Sequence, residues 1–261
     1  MKATPRSEWL KAGGGPPGRV RLFCFPHAGG GASIYRQWSG FLAPAVEVCP
    51  VQLPGREDRL RDPPFVRLQR MVEVLAETLQ SYFDMPFAFF GHSMGGLIAF
   101  ELVRELRRTS GNIPVHLFVS AHRAPQLPDP DPPIHALPDE LFMSAVERLH
   151  TGRSEAMQHP ELRRLLLPTL RADFAVCETY DYRPEPPLDC SLTVFGGKAD
   201  PRVPLDALGP WAEQTRRVFV VQTFPGDHFY LWSVRDQLLH ALAVQLTGSI
   251  EAWGPQAPHH V

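Results

Sequence analysis

A short glycine-rich segment contains the residue whose surroundings best suit a nucleophile. Residues 91–95 read Gly-His-Ser-Met-Gly, between an apolar strand-like run and a helix-like run. This G-x-S-x-G pattern is typical of a sharp strand-to-helix turn that exposes a serine hydroxyl. Glycines on either side of Ser93 leave space that a Cβ atom would fill. The pattern fixes only three of five positions, so its prediction that Ser93 accepts acyl groups, as in serine hydrolases and acyltransferases, needs support from other residues.

That support comes from two later loops. A serine hydroxyl needs a base that takes its proton and an acid that orients the base. In this architecture the acid and then the histidine follow the nucleophile along the chain, each on a loop after a later strand. Asp200 follows the apolar run 192–195, and His228 follows the run 218–224. We therefore predict a catalytic triad of Ser93, Asp200 and His228.

Several other residues compete for these roles. His122 also follows a strand and is the better competitor for the base, although no turn glycine stands beside it. Asp206 could replace Asp200 only if its loop ran further. His92 adjoins the nucleophile and is expected to pack rather than react. Asp227 is poorly placed to orient the ring of the histidine next to it.

Acyl transfer also needs hydrogen-bond donors for the oxyanion. The turn supplies the backbone N–H of Met94, the residue after the nucleophile. A second N–H should come from the loop after the first strand, residues 27–31 (His-Ala-Gly-Gly-Gly), and we choose that of Ala28. His27 of the same loop could touch substrate. A phosphate cradle is the alternative role for these glycines, but they belong to neither the P-loop nor the dinucleotide-binding pattern.

The elements that must position these residues alternate along the chain. Strands are predicted at 19–25, 46–53, 87–90, 115–120, 192–195 and 218–224, and helices at 66–83, 97–106 and 229–246. The alternation predicts an α/β fold with a mainly parallel sheet covered by helices on both faces. Catalytic loops gather at the carboxyl ends of such strands, so the glycine-rich loop and the triad should meet at one edge.

A segment of different character interrupts this alternation. Residues 126–187 contain two helical patterns, 138–149 and 162–180, with no strand between them and proline clusters at both ends. We favour a helical lid over the active-site edge, and the alternative is an extra helical layer without a gating role. The predicted plan is a flexible leader at 1–18, a core at 19–125 and 188–248, the lid at 126–187 and a flexible tail at 249–261.

Composition limits the classes of partner. The 261 residues are 44% hydrophobic and 21% charged with a net charge of −2, so nothing suggests nucleic acid or an anionic membrane as a partner. No apolar run approaches the roughly 20 residues of a transmembrane helix, and the N-terminus lacks the apolar centre of a secretory signal. Metal-ligand spacing is absent from the sequence. The cysteines form no C-x-x-C pair and are predicted to be buried free thiols, which fits a reducing cytoplasm; they are Cys24, Cys49, Cys177 and Cys190.

Several blocks of sequence, in order, resemble the type II thioesterases, the stand-alone editing thioesterases of polyketide and non-ribosomal peptide assembly lines. The blocks are residues 25–30 (FPHAGG), 51–57 (VQLPGRE), 91–96 (GHSMGG), 167–173 (LPTLRAD), 178–180 (ETY), 196–200 (GGKAD) and 226–229 (GDHF). The resemblance runs from about residue 20 to 245, and the chain does not depart from it at the triad or oxyanion positions.

The resemblance implies an α/β-hydrolase fold and hydrolysis of acyl thioesters held on the phosphopantetheine arm of a carrier protein. The usual role is removal of stalled or mis-primed short acyl groups. No cofactor or metal of its own is implied. We expect a cytoplasmic monomer whose partners are acyl or peptidyl carrier domains, with no nucleic acid or membrane partner. The alternatives are a fatty-acid-releasing thioesterase, a lipase-like carboxylesterase and a carrier-docking module without catalysis.

Overall fold

A single parallel sheet forms the centre of the molecule. The computed structural model describes residues 8–11, 18–149 and 159–253. Six strands pair in the order β2-β1-β3-β4-β5-β6, and every neighbouring pair is parallel. They are β1 (Val20–Phe25), β2 (Val46–Pro50), β3 (Phe87–His92), β4 (His116–Ser120), β5 (Ser191–Gly197) and β6 (Phe219–Phe224). The predicted α/β class is confirmed.

Seven α-helices are assigned within the described ranges. They are α1 (Trp38–Leu42), α2 (Leu68–Leu79), α3 (Met94–Thr109), α4 (Asp139–Leu149), α5 (Pro160–Glu178), α6 (Tyr230–Ser233) and α7 (Arg235–Trp253). The helix predicted at 66–83 is α2 followed by a 3-10 turn at Gln80–Tyr82. The predicted helix at 229–246 is two helices that separate at Val234. Among the described helices, none has the length and apolar character needed to cross a membrane.

Strands β1 to β5 are buried on both faces because they alternate large apolar side chains between two cores, whereas the edge strand β6 is partly exposed. Phe89 of β3 packs in the core that contains the apolar faces of α2 and α3. Its neighbour Phe90 points to the opposite face, where it packs with Trp38 of α1 and with residues of α7. Successive side chains of a strand point to opposite faces, so an apolar run without alternation indicates burial on both sides. The predicted helices on both faces are confirmed.

The insertion between β4 and β5 contains α4 and α5 and, in its described part, no strand. The two helices share a small core of their own. Phe142 and Val146 from α4 pack against Leu170 and Phe174 from α5, and the Phe142 and Phe174 rings meet edge to face at 5.5 Å. Ala28, from the loop after β1, packs against the same cluster. The insertion is therefore in direct contact with the glycine-rich loop.

Both chain ends differ from the prediction. The flexible leader predicted at 1–18 is wrong for Trp9 and Leu10, which are 8% and 1% exposed. Leu10 forms an antiparallel bridge with Val51, the residue after the end of β2. The burial of the apolar side chains of Trp9 and Leu10 holds this segment against the core. The flexible tail predicted from residue 249 is wrong up to Trp253, since α7 continues there and the hydroxyl of Ser249 contacts His116 at 2.7 Å. The other leader and tail residues, 1–7, 12–17 and 254–261, lie outside the described residues.

Candidate active site

Ser93 stands at the sharp turn between β3 and α3. Its backbone has φ 54° and ψ −119°, a conformation that residues with a Cβ atom rarely adopt. The turn closes so tightly that a Cβ atom at Gly91 would lie 1.9 Å from the carbonyl oxygen of Gly95. A Cβ atom at Gly95 would lie 2.0 Å from the carbonyl oxygen of Phe25 in β1. The two glycines are therefore required by backbone contact, and the turn holds the serine side chain at the carboxyl edge of the sheet.

The structure brings the three predicted triad residues together. His228 Nε2 lies 3.0 Å from Ser93 Oγ, and His228 Nδ1 lies 2.8 Å from Asp200 Oδ2. The carboxylate can only accept, so Nδ1 carries the hydrogen and Nε2 is left to accept the serine proton. The other carboxylate oxygen of Asp200 accepts the N–H groups of Arg202 and Val203 at 2.9 and 3.2 Å. This geometry matches a nucleophile, its base and the acid that orients the base.

The loops that carry the acid and the base are bound to each other. Ala199, just before the acid, donates its N–H to the carbonyl oxygen of Gly226 at 2.9 Å. Gly197 at the end of β5 lies so close to the histidine loop that a Cβ atom there would be 2.4 Å from the carbonyl oxygen of Asp227. Gly226 has φ 119°, which favours glycine. The separation of Asp200 and His228 is thus set by backbone contacts.

The competing residues are arranged differently. His122 Nδ1 contacts the carbonyl oxygen of Arg123 at 2.7 Å, and burial lowers the pKa of His122 to about 4. A base with this pKa would be weaker than an ordinary histidine. Asp206 is exposed on a 3-10 turn. Asp227 accepts the N–H of Phe229 at 2.9 Å, so its carboxylate faces its own loop. These positions favour His228 and Asp200.

His92 is fully buried behind the nucleophile. Its Nδ1 lies 2.8 Å from the hydroxyl of Ser120, which in turn contacts the hydroxyl of Tyr230 at 2.5 Å. Burial lowers the pKa of His92 well below its usual value, so it stays neutral. Its ring centroid lies 5.5 Å from that of His228. His92 therefore packs against the base from behind.

The two predicted oxyanion donors line the same cavity as Ser93 and His228. Met94 is the first residue of α3, where N–H groups lack helical acceptors and the helix dipole favours negative charge. Ala28 lies in the loop after β1, and its carbonyl oxygen is contacted by His27 Nδ1 at 2.9 Å. Both N–H groups belong to backbone beside the nucleophile, which is the position that an oxyanion hole requires.

The cavity beside Ser93 has a volume of about 350 Å³. The insertion supplies its apolar side through Ala145, Leu149 and Phe174. Charged residues also line it, and of these only Glu178 belongs to a sequence block named above; they are Arg123, Asp129, Asp131, Arg148, Glu178 and Arg202. The carboxylate of Glu178 is already engaged by the N–H groups of Ile134 and His135. Such isolated charges have no sequence periodicity that marks them as cavity residues.

A group of aromatic rings lies next to His228, in the loop that carries it and in the glycine-rich loop. The rings of Phe229 and Trp232 stack with centroids 4.9 Å apart, and His27 meets both edge to face at 5.1 and 5.8 Å. Trp232 remains 57% exposed, which is unusual for so large an apolar side chain. This aromatic group connects the loop of the base with the loop of Ala28. Only the position of His27 in the glycine-rich loop had suggested contact with substrate.

The cysteines do not provide a competing nucleophile. All four are free thiols, and Cys24, Cys49 and Cys190 are buried. Burial raises the pKa of Cys177 and Cys190 to about 12, so little thiolate forms at neutral pH. Among the described residues, no cluster of three or more histidine, cysteine or acidic side chains could hold a metal ion.

Comparisons with known proteins agree with this geometry. Residues 20–246 match the Thioesterase domain family. The chain is 46% identical over 228 residues to the gramicidin S biosynthesis protein GrsT of Aneurinibacillus migulanus, covering 87% of this chain and 89% of that protein. It is 41% identical to the thioesterase PikA5 of Streptomyces venezuelae, covering 83% and 77%. The solved structure of BorB, the type II thioesterase from the borrelidin biosynthetic cluster, superposes with a TM-score of 0.85 at 36% identity, covering 93% of this chain and 99% of that one.

Proposed function

The chain belongs to the thioesterase family and is a hydrolase of thioesters, and from that premise we propose that Ser93, His228 and Asp200 are its catalytic residues. The observation that supports this most directly is the continuous hydrogen-bonded array from Ser93 Oγ through His228 to Asp200. It lies at a strained turn beside a cavity, where perturbed and reactive groups are expected.

The reaction follows from the positions of the hydrogens. His228 Nε2 takes the proton of Ser93 as Oγ attacks the thioester carbonyl carbon, and Asp200 stabilises the imidazolium that forms. The oxyanion of the tetrahedral intermediate accepts the N–H groups of Ala28 and Met94. The intermediate collapses, the C–S bond breaks, and His228 returns the proton to the departing thiolate. His228 then deprotonates a water molecule that attacks the acyl-serine. The C–Oγ bond breaks, the acid is released, and His228 returns the proton to Ser93 Oγ.

The proposed substrate is an acyl thioester on the phosphopantetheine arm of a carrier protein, and the proposed role is removal of aberrant or stalled acyl groups. Two observations support it. The sequence blocks that resemble type II thioesterases extend over nearly the whole chain, and BorB, which is described by that name, superposes over nearly all of it. The 350 Å³ cavity offers room for the acyl group next to Ser93.

The insertion is proposed to act as a lid over this cavity. Its helices supply cavity-lining residues on the side opposite the sheet, namely Ala145 and Leu149 from α4 and Phe174 from α5. An acyl chain bound there would be shielded from water by these side chains. Desolvation of the site strengthens the hydrogen bonds that stabilise the oxyanion.

A substrate panel tests the proposal. The same short acyl group is offered on a carrier protein, on coenzyme A and as a simple oxygen ester, and kcat/KM is measured for each. We expect the highest value for the carrier-bound thioester, because only that substrate presents both the pantetheine arm and a protein surface. Equal or higher values for the oxygen ester would instead favour a carboxylesterase. The two thioesters are then measured again with a long acyl chain, and higher values for the long chain would favour a fatty-acid-releasing enzyme.

A further inference from the structure

Two sequence blocks that the triad leaves unexplained meet in a buried ion pair. Arg56 belongs to the block after β2, and Asp173 lies in α5 of the insertion. The side chains are 5% and 0% exposed. The guanidinium binds the carboxylate through two parallel hydrogen bonds, from Nη1 to Oδ2 at 2.9 Å and from Nη2 to Oδ1 at 2.8 Å. This two-bond arrangement fixes the orientation of both groups.

Each member of the pair also binds the loop that contains Ala28. Asp173 Oδ2 accepts the N–H of Gly29 at 2.7 Å. Arg56 Nη1 donates to the carbonyl oxygen of Gly30 at 3.1 Å. The pair therefore holds an N–H and a carbonyl of consecutive residues, immediately after the predicted oxyanion donor.

The segment that the ion pair holds is linked to the Ala28 N–H by a hydrogen bond within the loop and by the planarity of a peptide group. The N–H of Gly30 donates to the carbonyl oxygen of His27 at 2.9 Å. That carbonyl and the N–H of Ala28 belong to one rigid plane, so fixing the first fixes the second. Gly29, between Ala28 and Gly30, has φ 76°, a conformation that glycine adopts without strain. Asp173 binds the N–H of this residue and Arg56 the carbonyl oxygen of the next, so the ion pair restrains the turn that holds the His27–Ala28 peptide group.

Stability alone does not explain why this pair is ionic. Burying two charges costs desolvation energy, and a well-packed apolar pair of similar size is often as stable. An apolar pair could join α5 to the core, but it could not accept the N–H of Gly29 or donate to Gly30. We propose that Arg56 and Asp173 are positioning residues that hold the loop after β1 so that the Ala28 N–H faces the developing oxyanion. This inference rests on the proposed function, because it takes Ala28 as an oxyanion donor.

The proposal also couples the insertion to catalysis. Asp173 is part of α5, and Thr169 of the same helix donates its hydroxyl to the carbonyl oxygen of Gly55, next to Arg56. Displacement of the part of α5 that contains Thr169 and Asp173 would remove the acceptor of the Gly29 N–H. The oxyanion hole is therefore complete only when α5 is seated against the core.

The test replaces the ion pair by an apolar pair, Arg56→Met with Asp173→Leu, so that no buried charge is left alone. We expect kcat to fall about 10–100-fold. The upper end of this range equals the smallest loss that is typical when one oxyanion donor is removed. KM and the affinity of a thioether analogue, which has no carbonyl group, should stay within about twofold. The affinity of an alkylboronic acid, whose tetrahedral adduct places an oxygen in the oxyanion hole, should weaken by about the same factor as kcat.

The matched control is Arg21→Met with Glu47→Leu. This pair is similarly buried, with side chains 5% and 10% exposed, but it joins β1 and β2 away from the loop. We expect its kcat and boronic acid affinity to match the wild type. A folded Arg56/Asp173 double variant that also matches the wild type in both would overturn the proposal. So would an equal loss of affinity for the thioether analogue, which would indicate general distortion of the site.

Arg56→Lys provides the same test with a smaller change in packing. Lysine keeps the charge beside Asp173 but cannot make two parallel bonds and donate to Gly30 as well. We expect a smaller loss of kcat and of boronic acid affinity, again without a change in KM. If kcat and boronic acid affinity of Arg56→Lys both match the wild type, this result counts against the proposal, even if the double variant does not fold. Failure of the proposed function is distinguishable, because the wild type would then leave thioesters intact or Ser93→Ala would still cleave them.

Discussion

The hydrogen bond from His228 Nδ1 to Asp200 Oδ2 decides which ring nitrogen faces Ser93. Asp200 is 7% exposed and its second oxygen is held by two backbone N–H groups, so the carboxylate cannot turn away. An amide at this position could present a donor to Nδ1 and favour the tautomer that has its hydrogen on Nε2. That tautomer cannot accept the serine proton.

We therefore expect Asp200→Asn to lower kcat by about 10⁴-fold with little change in KM, as the general behaviour of such triads indicates. Steady-state hydrolysis of one acyl thioester measures this. Asp206→Asn is the matched control, because Asp206 is an exposed acid six residues further along the chain. A large loss in Asp206→Asn together with full activity in Asp200→Asn would show that the acid was assigned wrongly.

At the residue scale, most of the candidate site could be predicted from the sequence, because each residue of the predicted triad lies within four residues of the end of a strand. Ser93, Asp200 and His228 lie near one another because parallel strands end at one edge. The contact between Arg56 and Asp173 could not be predicted in this way. The two residues are 117 positions apart and lie on elements whose relative placement no local pattern specifies. Trp232 was missed because its exposure depends on packing around the loop of the base.

At the element scale, the strands were predicted well and the helix ends less well. Every strand is rich in apolar residues, and β1 to β5 are buried along almost their whole length, so the apolar signal survives in each of them. The start of α3 at Met94 was placed too late, at residue 97, because Gly95 and Gly96 have weak helix propensity. The continuation of α7 past Gly248 was missed for a similar reason, since glycine disfavours a helix interior.

Helix α5 consists of two halves that meet at Pro168. Before it, Leu162 and Leu165 are 41% and 48% exposed, whereas after it Leu170 and Asp173 are 5% and 0% exposed. Proline has no N–H and cannot donate to the preceding turn, which weakens the helix at this position. Motion of the proposed lid is therefore expected in α4 and the first half of α5, while the second half stays attached to the core.

Amide hydrogen exchange tests this division. We expect peptides from residues 170–177 to be protected close to the level of the central strands, because their side chains are buried and Asp173 binds the core. Peptides from residues 161–167 should exchange faster, since local opening there breaks few buried contacts. Both segments belong to one helix, so each serves as the reference for the other. Equal protection along the whole of α5 would contradict a boundary at Pro168.

At the scale of the whole molecule, the insertion is bound to the core at several points. Arg104 in α3 pairs with Glu185 at 2.9 Å, and Tyr180 donates to Glu101 of α3 at 2.7 Å, so the chain after α5 is held against the helix that follows the nucleophile. The second half of α5 is held by Arg56. The part of the insertion that follows Pro168 is therefore bound to the core by two residues of α3 and by Arg56.

The arrangement of these loops supports a mechanism in which the acyl group is transferred to Ser93. Loops from four strands meet there: β1 supplies Ala28, β3 the proposed nucleophile, β5 the proposed acid and β6 the proposed base. Such convergence is what an α/β sheet offers at its carboxyl edge. The account therefore depends most on the covalent acyl-serine, which neither a docking module nor an enzyme with another nucleophile would form.

The most direct measurement is the mass of the protein during turnover of an acyl thioester. Rapid acid quenching should trap a species heavier by one acyl group, and peptide mapping should assign the group to Ser93. Ser93→Ala should form no adduct and release no acid above the uncatalysed rate, while Ser110→Ala, which changes a serine at the far end of α3, should behave as the wild type. An acyl group mapped to another residue, or acid release by Ser93→Ala at the wild-type rate, would contradict the account.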